Sequence, residues 1–128
     1  ELFTAVDYLQ AQQPRRQLKQ DLEKALERID VLIAPTLPIV VPDIGEDLVE
    51  LNGEKVDLLE NIIRFTGPAN LTGLPALSVP CGFKNGLPVG LQVIGPAFKE
   101  GLVLNVGYAI EQTNPLQNKK PEILITQN

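Results

Sequence analysis

The stretch RFTGPANLTGLPALSVPCGFKNGLPVGLQVIGP, residues 64–96, decides how this chain folds. It carries six of the ten glycines, five of the eleven prolines, and the only cysteine and serine of the chain. Two strand-like runs, ALSVP (76–80) and PVGLQVIG (88–95), flank CGFKNGL. Asn85-Gly86 between them is a strong hairpin signal, because both positions tolerate the positive φ that a two-residue turn needs. Upstream, PANLTG (68–73) reads as one helical turn or two, with Pro68 early and Gly73 as the C-terminal stop. Glycine and proline at this density let a backbone pass close to a ligand and keep its shape there.

Working outward, residues 99–112 predict a helix with Leu102, Val103, Val106, Ala109 and Ile110 inward, weakened at Gly101 and Gly107 by about 1 kcal/mol each relative to Ala. Beyond Asn114-Pro115 the tail, residues 115–128, is polar before EILIT (122–126). On the other side, Asp57 with Glu60 resembles a capping box and predicts a short helix over 58–64. PTLPIVVPDIGEDLVELNGEKVD (35–57) reads as a long surface excursion with a small IVV strand. VLIAP (31–35) is an unbroken apolar run, which predicts a strand buried on both faces of a parallel sheet. Residues 15–29 predict the clearest helix, with Leu18, Leu22, Ala25, Leu26 and Ile29 on one stripe and Asp30 as its end. Residues 1–12 show one helical face without a cap, and Pro14 either breaks that helix or opens a second one. The fold class is therefore α/β, helices on a sheet that includes a β-hairpin, with no internal repeat and no linker.

Composition excludes several functions. The chain has 128 residues, no methionine, no histidine and a net charge of -5. An acidic balance argues against nucleic acid, whose phosphates need clustered Lys and Arg. The adjacent basic pairs Arg15-Arg16 and Lys119-Lys120 are expected to be solvated. No apolar run approaches the roughly 20 residues of a membrane helix. Without histidine, Ser-His-Asp and Cys-His catalysis cannot be built from this chain. One cysteine is too few for a zinc site. No G-x-G occurs, which removes the dinucleotide fingerprint. The expectation is of no cofactor and no metal.

The remaining candidates read structurally. Asp43, Glu46, Asp47 and Glu50 lack the alternating order of a calcium loop and read as a solvated edge. Cys81 is expected to be a buried, inert thiol. Ser78 is expected to be a structural hydroxyl, since nothing in the sequence places a lysine beside it. Asn70 is expected to bond backbone, with substrate contact the lesser reading. The residues alone leave the function open.

A resemblance narrows it. FTGPANLTGLPALSVPCGF (65–83), then NGLPVGLQVIGP (85–96) with Phe98 and Glu100, closely resembles the C-terminal region of the amidase signature family. That family includes bacterial amidases and the A subunit of glutamyl-tRNA amidotransferase. AQQPRRQL (11–18), DVLIAPTLP (30–38), Gly45-Glu46 and FKEGLVLNVGYAIEQ (98–112) resemble further blocks of it in the same order, so the likeness covers roughly residues 4–112.

The resemblance implies a mixed sheet between helix layers, in an α/β/α arrangement. It implies amide hydrolysis through an acyl-serine, with a serine nucleophile, a second serine in a cis peptide and a lysine base. Those three groups belong to the family's N-terminal portion, so no catalytic residue is expected here. Residues 1–128 are expected to form the C-terminal portion of an amidase domain, a single partial domain and inactive alone. The stretch at Ile63, Phe65 and Thr66 is implied to wall the substrate pocket. In the amidotransferase A subunits an acidic residue two positions before the Phe holds the substrate's polar end; Ile63 stands there in this chain. That favours a less polar amide. The implied partners are a small-molecule amide, the N-terminal catalytic portion and, through apolar faces left open, a second copy of the chain. Neither nucleic acid nor membrane is implied, and the implied setting is cytoplasmic. The alternatives are a non-catalytic binding or scaffold module, and one chain of a split amidotransferase.

Overall fold

The computed structural model describes residues 2–113 together with 116 and 119. Its centre is the expected hairpin. Asn85 (φ 53) and Gly86 (φ 80) both adopt left-handed backbone, and they join β1 of the central sheet, Ala76–Lys84, to β2, Leu87–Ile94. Lys84 pairs with Leu87 and Gly82 with Val89, but Pro80 pairs with Gly90, so Cys81 is an extra residue in a bulge. Pro80 lacks an N–H and lies on an outer strand, where no ladder bond is lost.

A third strand, β3 (Leu32–Pro35), lies on the other side of β2, giving the order β3-β2-β1. It runs antiparallel, with Leu32 opposite Ile94 and Pro35 opposite Leu91. This corrects the expectation of a parallel strand buried on both faces. Leu32 is half-buried while Ile33 is 51% exposed. Apolar character on both faces does not by itself fix strand direction or burial.

Helices cover the two faces. α1 (Ala5–Leu26) and α2 (Gly67–Thr72) lie on one side, where Leu26, Ala69, Leu74 and Ile94 form a core joined by Leu22 and Leu32. α3 (Glu100–Thr113) lies on the other, against Leu77 and Val79; there Val79, Val93 and Val103 are buried. Gly107 is the contact point: a Cβ there would overlap Leu77 Cδ2. The glycine that weakens this helix locally is what lets it sit on the sheet. Ala109, expected inward, is exposed.

Two helix expectations are corrected. α1 is one helix that includes Pro14, and it is capped: Thr4 Oγ1 accepts from the Asp7 N–H, and the Asp7 carboxylate accepts from the Thr4 N–H at 2.8 Å. The cost of an internal proline, about 3 kcal/mol, is offset by flanking good helix formers and by a tie from Arg15 to another element. The helix stops at Leu26, so Ile29 is 46% exposed in the following turn. Leu18, Leu22 and Leu26 are the residues α1 turns inward, and its first two turns are exposed.

The proline- and acid-rich excursion holds a second, smaller hairpin. β4 (Leu48–Leu51) pairs antiparallel with β5 (Glu54–Asp57) across Asn52 (φ 54) and Gly53 (φ 85). The expected IVV strand is absent, and residues 39–41 are irregular. Asp57 then caps α4 of this region, Leu58–Ile63, by accepting from the Glu60 N–H at 2.8 Å. EILIT lies outside the described residues.

Gly107→Ala is expected to lower the urea midpoint, because overpacking against Leu77 costs about 1–3 kcal/mol and exceeds the helix-propensity gain. Gly101→Ala has nothing within 4 Å of its new Cβ, so it should raise the midpoint, stabilising the chain by up to about 1 kcal/mol. At the helix start, the Thr4 side-chain and backbone hydrogen bonds hold the Asp7 carboxyl below its ordinary value. That contribution is complete above the unfolded-state value and fades as pH falls through the lowered one. Thr4→Ala should raise the Asp7 value, read from its carboxyl carbon shift across an NMR titration.

Candidate functional site

The polar groups of the molecule converge on the face of the sheet that α2 partly covers. Ser78 on β1 stands opposite Gln92 on β2. Thr36, just past β3, donates its N–H to the Gly90 carbonyl at 2.9 Å. Its hydroxyl then lies 2.6 Å from Ser78 Oγ. Gly90 makes this possible, since a Cβ there would come within 2.8 Å of Thr36 Oγ1 and 2.9 Å of Ser78 Oγ. Two hydroxyls joined by one bond leave one O–H free to donate outward.

On one side of this hydroxyl pair a groove of about 300 Å³ runs between the sheet and α2, lined by Thr66, Asn70, Ala76 and Gln92. On the other side a groove of about 360 Å³ is lined by residues 36–41, with Ser78, Lys84 and Pro88 also in its wall. Lys84 is the one ionisable residue in either lining. The surface offers hydroxyls and amides, which suit a neutral hydrogen-bonding group. The Ser78 hydroxyl is hydrogen-bonded to that of Thr36.

Gln92 is the buried polar centre of this region at 4% exposure. Its Nε2 donates to the Phe65 carbonyl at 2.9 Å, which fixes the turn leading into α2. Thr66 lines the smaller groove. Phe65 is half-buried. Ile63 is 53% exposed at the end of α4 and is not in that lining. The structure therefore brings Thr66 to Ser78 and Gln92 but leaves Ile63 apart. Asn70 is exposed at the groove's lip, its N–H spent on the Thr66 carbonyl at 3.3 Å. Cys81 is half-buried in the bulge and donates to the Val89 carbonyl at 3.4 Å.

Arg15 is the residue that sequence reasoning misplaced. It is not simply solvated: Nε donates to the Leu71 carbonyl at 2.6 Å, and Gln12 Oε1 accepts from its Nη1 at 2.9 Å. Thr36 and Gln92 were also not singled out. The signal for Gln92 was its amide within an otherwise apolar strand, which requires a partner when buried. Glu50 sits on β4, and the Asp47 carbonyl accepts from the Leu58 N–H at 2.9 Å. Among the described residues no acidic cluster could hold a metal ion, and no helix is long and apolar enough to cross a membrane.

Comparison with known proteins agrees with this architecture. The A subunit of the glutamyl-tRNA(Gln) amidotransferase of Halalkalibacterium halodurans is 47% identical over 116 residues, which is 91% of this chain and 23% of that protein. A crystal structure of an amidase superposes with a TM-score of 0.82 at 37% identity, covering 87% of this chain and 26% of the other. The corresponding amidotransferase polypeptide of Thermotoga maritima superposes with a TM-score of 0.71 at 41% identity, covering 84% and 23%. The chain thus spans under a quarter of the length of the curated relatives it matches. The sequence pattern that defines the amidase family matches residues 1–104, and the chain belongs to that family.

Proposed function

We propose that this chain is the C-terminal part of an enzyme that hydrolyses a carboxylic amide to acid plus ammonia or amine. In this reading an acyl-serine forms on residues of the longer protein, and residues 1–128 contribute sheet and pocket wall without a catalytic group. The N-terminal portion and a small amide are its partners. The observation that carries the reading is the neutral lining at Thr66, Ser78, Thr36 and Gln92. Hydroxyls and amides can hold a carboxamide by hydrogen bonds. They present no full charge to an ammonium or carboxylate. Ile63 lies outside that lining, and it is the resemblance alone, which implies an acidic residue at its position, that favours an aliphatic or aryl amide over glutamine.

A second reading has a specific observation behind it. Relatives at 45–47% identity are named as the A subunit of glutamyl-tRNA(Gln) amidotransferase. Under that reading the segment would serve glutamine amide transfer, with the charged contacts supplied from elsewhere.

Ammonia release by the full protein carrying this segment separates the two. Our reading expects turnover of hexanamide or an anilide and little of glutamine; efficient glutamine hydrolysis with no turnover of the others would reverse the assignment. The 128-residue chain alone should leave all three intact, and activity lost on Ser78→Ala would contradict a wall without a nucleophile. Leu2 and Phe3 ahead of α1, and Val6 and Leu9 in its first turns, are exposed, and apolar surface of this kind favours association. Sedimentation of the isolated chain should accordingly give a dimer, and a strictly monomeric species at high concentration would count against that partner.

A further inference from the structure

We propose that Gln92 and Arg15 are positioning residues, a pair of anchors that fix α2 over the groove and thereby set its selectivity. The inference rests on the reading of that groove as substrate-facing. α2 has six residues and no side-chain cap at Thr66, and a helix this short is marginal by itself. Both of its ends are held from outside. At the leading end the Phe65 carbonyl accepts from Gln92 Nε2 on β2, 27 residues away. At the trailing end the Leu71 carbonyl accepts from Arg15 Nε on α1, 56 residues away.

The two anchors differ in kind. The Gln92 amide is buried, so removing it leaves a desolvated carbonyl without its donor. The Arg15 bond is charge-assisted and short, and it meets the end of α2 where the helix dipole favours a cation. Gln12 holds the guanidinium in place. Thr66 and Asn70 lie between the anchors, one at the groove wall and the other at its lip. The anchors come from different layers, sheet and helix. Loss of either one lets α2 tilt about the other, and the height of Thr66 and Asn70 above Ser78 changes.

The test uses the full protein carrying this segment, with hexanamide and glutamine as probes. Gln92→Leu and Arg15→Leu should each raise KM for the preferred amide about fivefold, the factor that one ordinary hydrogen bond corresponds to, with kcat little changed. Hydrogen exchange at the amides of residues 69–73 should quicken in both. Arg15→Lys should restore most of the KM, because a lysine can still donate to the Leu71 carbonyl. Gln92→Glu should raise KM at neutral pH, relative to the parent at the same pH, and recover as the carboxyl takes up a proton it can donate. If Gln92→Leu does not fold, the Arg15 pair carries the test from an exposed position. Unchanged exchange in the leucine variants would overturn the anchoring, and faster exchange with an unchanged KM would overturn its role in selectivity. Thr66→Val is the control. If it shifts KM while the anchor variants do not, the groove stands and the anchors fall. If Thr66→Val also leaves KM unchanged, the groove is not substrate-facing, and the proposal falls with it.

Discussion

One extra residue in a strand sets the geometry of everything on the polar face. From the Asn85-Gly86 turn the hairpin pairs one for one as far as Gly82 and Val89. Continued without interruption, that ladder would put Ser78 opposite Val93. The bulge at Cys81 shifts the count by one, so Ser78 meets Gln92 and Pro80 meets Gly90. Side chains alternate along a strand, so a slip of one residue exchanges its faces. The bulge therefore sends Leu77 and Val79 to α3 and Ser78 to the groove, beside the buried amide and the glycine that admit Thr36.

Much of the fold could be read from residues. Asn85-Gly86 gave the hairpin because few backbones accept two positive φ values in succession. Gly73 gave the end of α2 for the same reason, with φ 73. The failures have physical causes. Asn52-Gly53 makes the same kind of turn as Asn85-Gly86, but it lies among prolines and acids that mask two four-residue strands. Pro14 reads as a breaker locally, yet α1 runs through it, since tertiary ties outweigh a local penalty. The direction of β3 could not be read at all: an apolar run says what it touches, not which way it points.

The site was less legible than the fold. Thr66 lay within the stretch that the sequence singled out, and it does line the groove. Its neighbours there come from positions 36, 78 and 92, joined by β3–β2 pairing and by the bulge. Neither is encoded in a motif. Arg15 gave no sign of its role, because its partner is a backbone carbonyl, and any residue has one. Side chains that bond to backbone across long separations are invisible to pattern reading, although they hold the parts of this molecule that pattern reading finds.

The lining of the grooves has a further consequence. Between roughly pH 5 and 8 the side chain that ordinarily changes charge is histidine, and this chain has none. Hydroxyls and carboxamides keep the same hydrogen-bonding character across that range. The hydrogen-bonding pattern that Thr36, Thr66, Ser78 and Gln92 present is therefore the same on either side of neutrality.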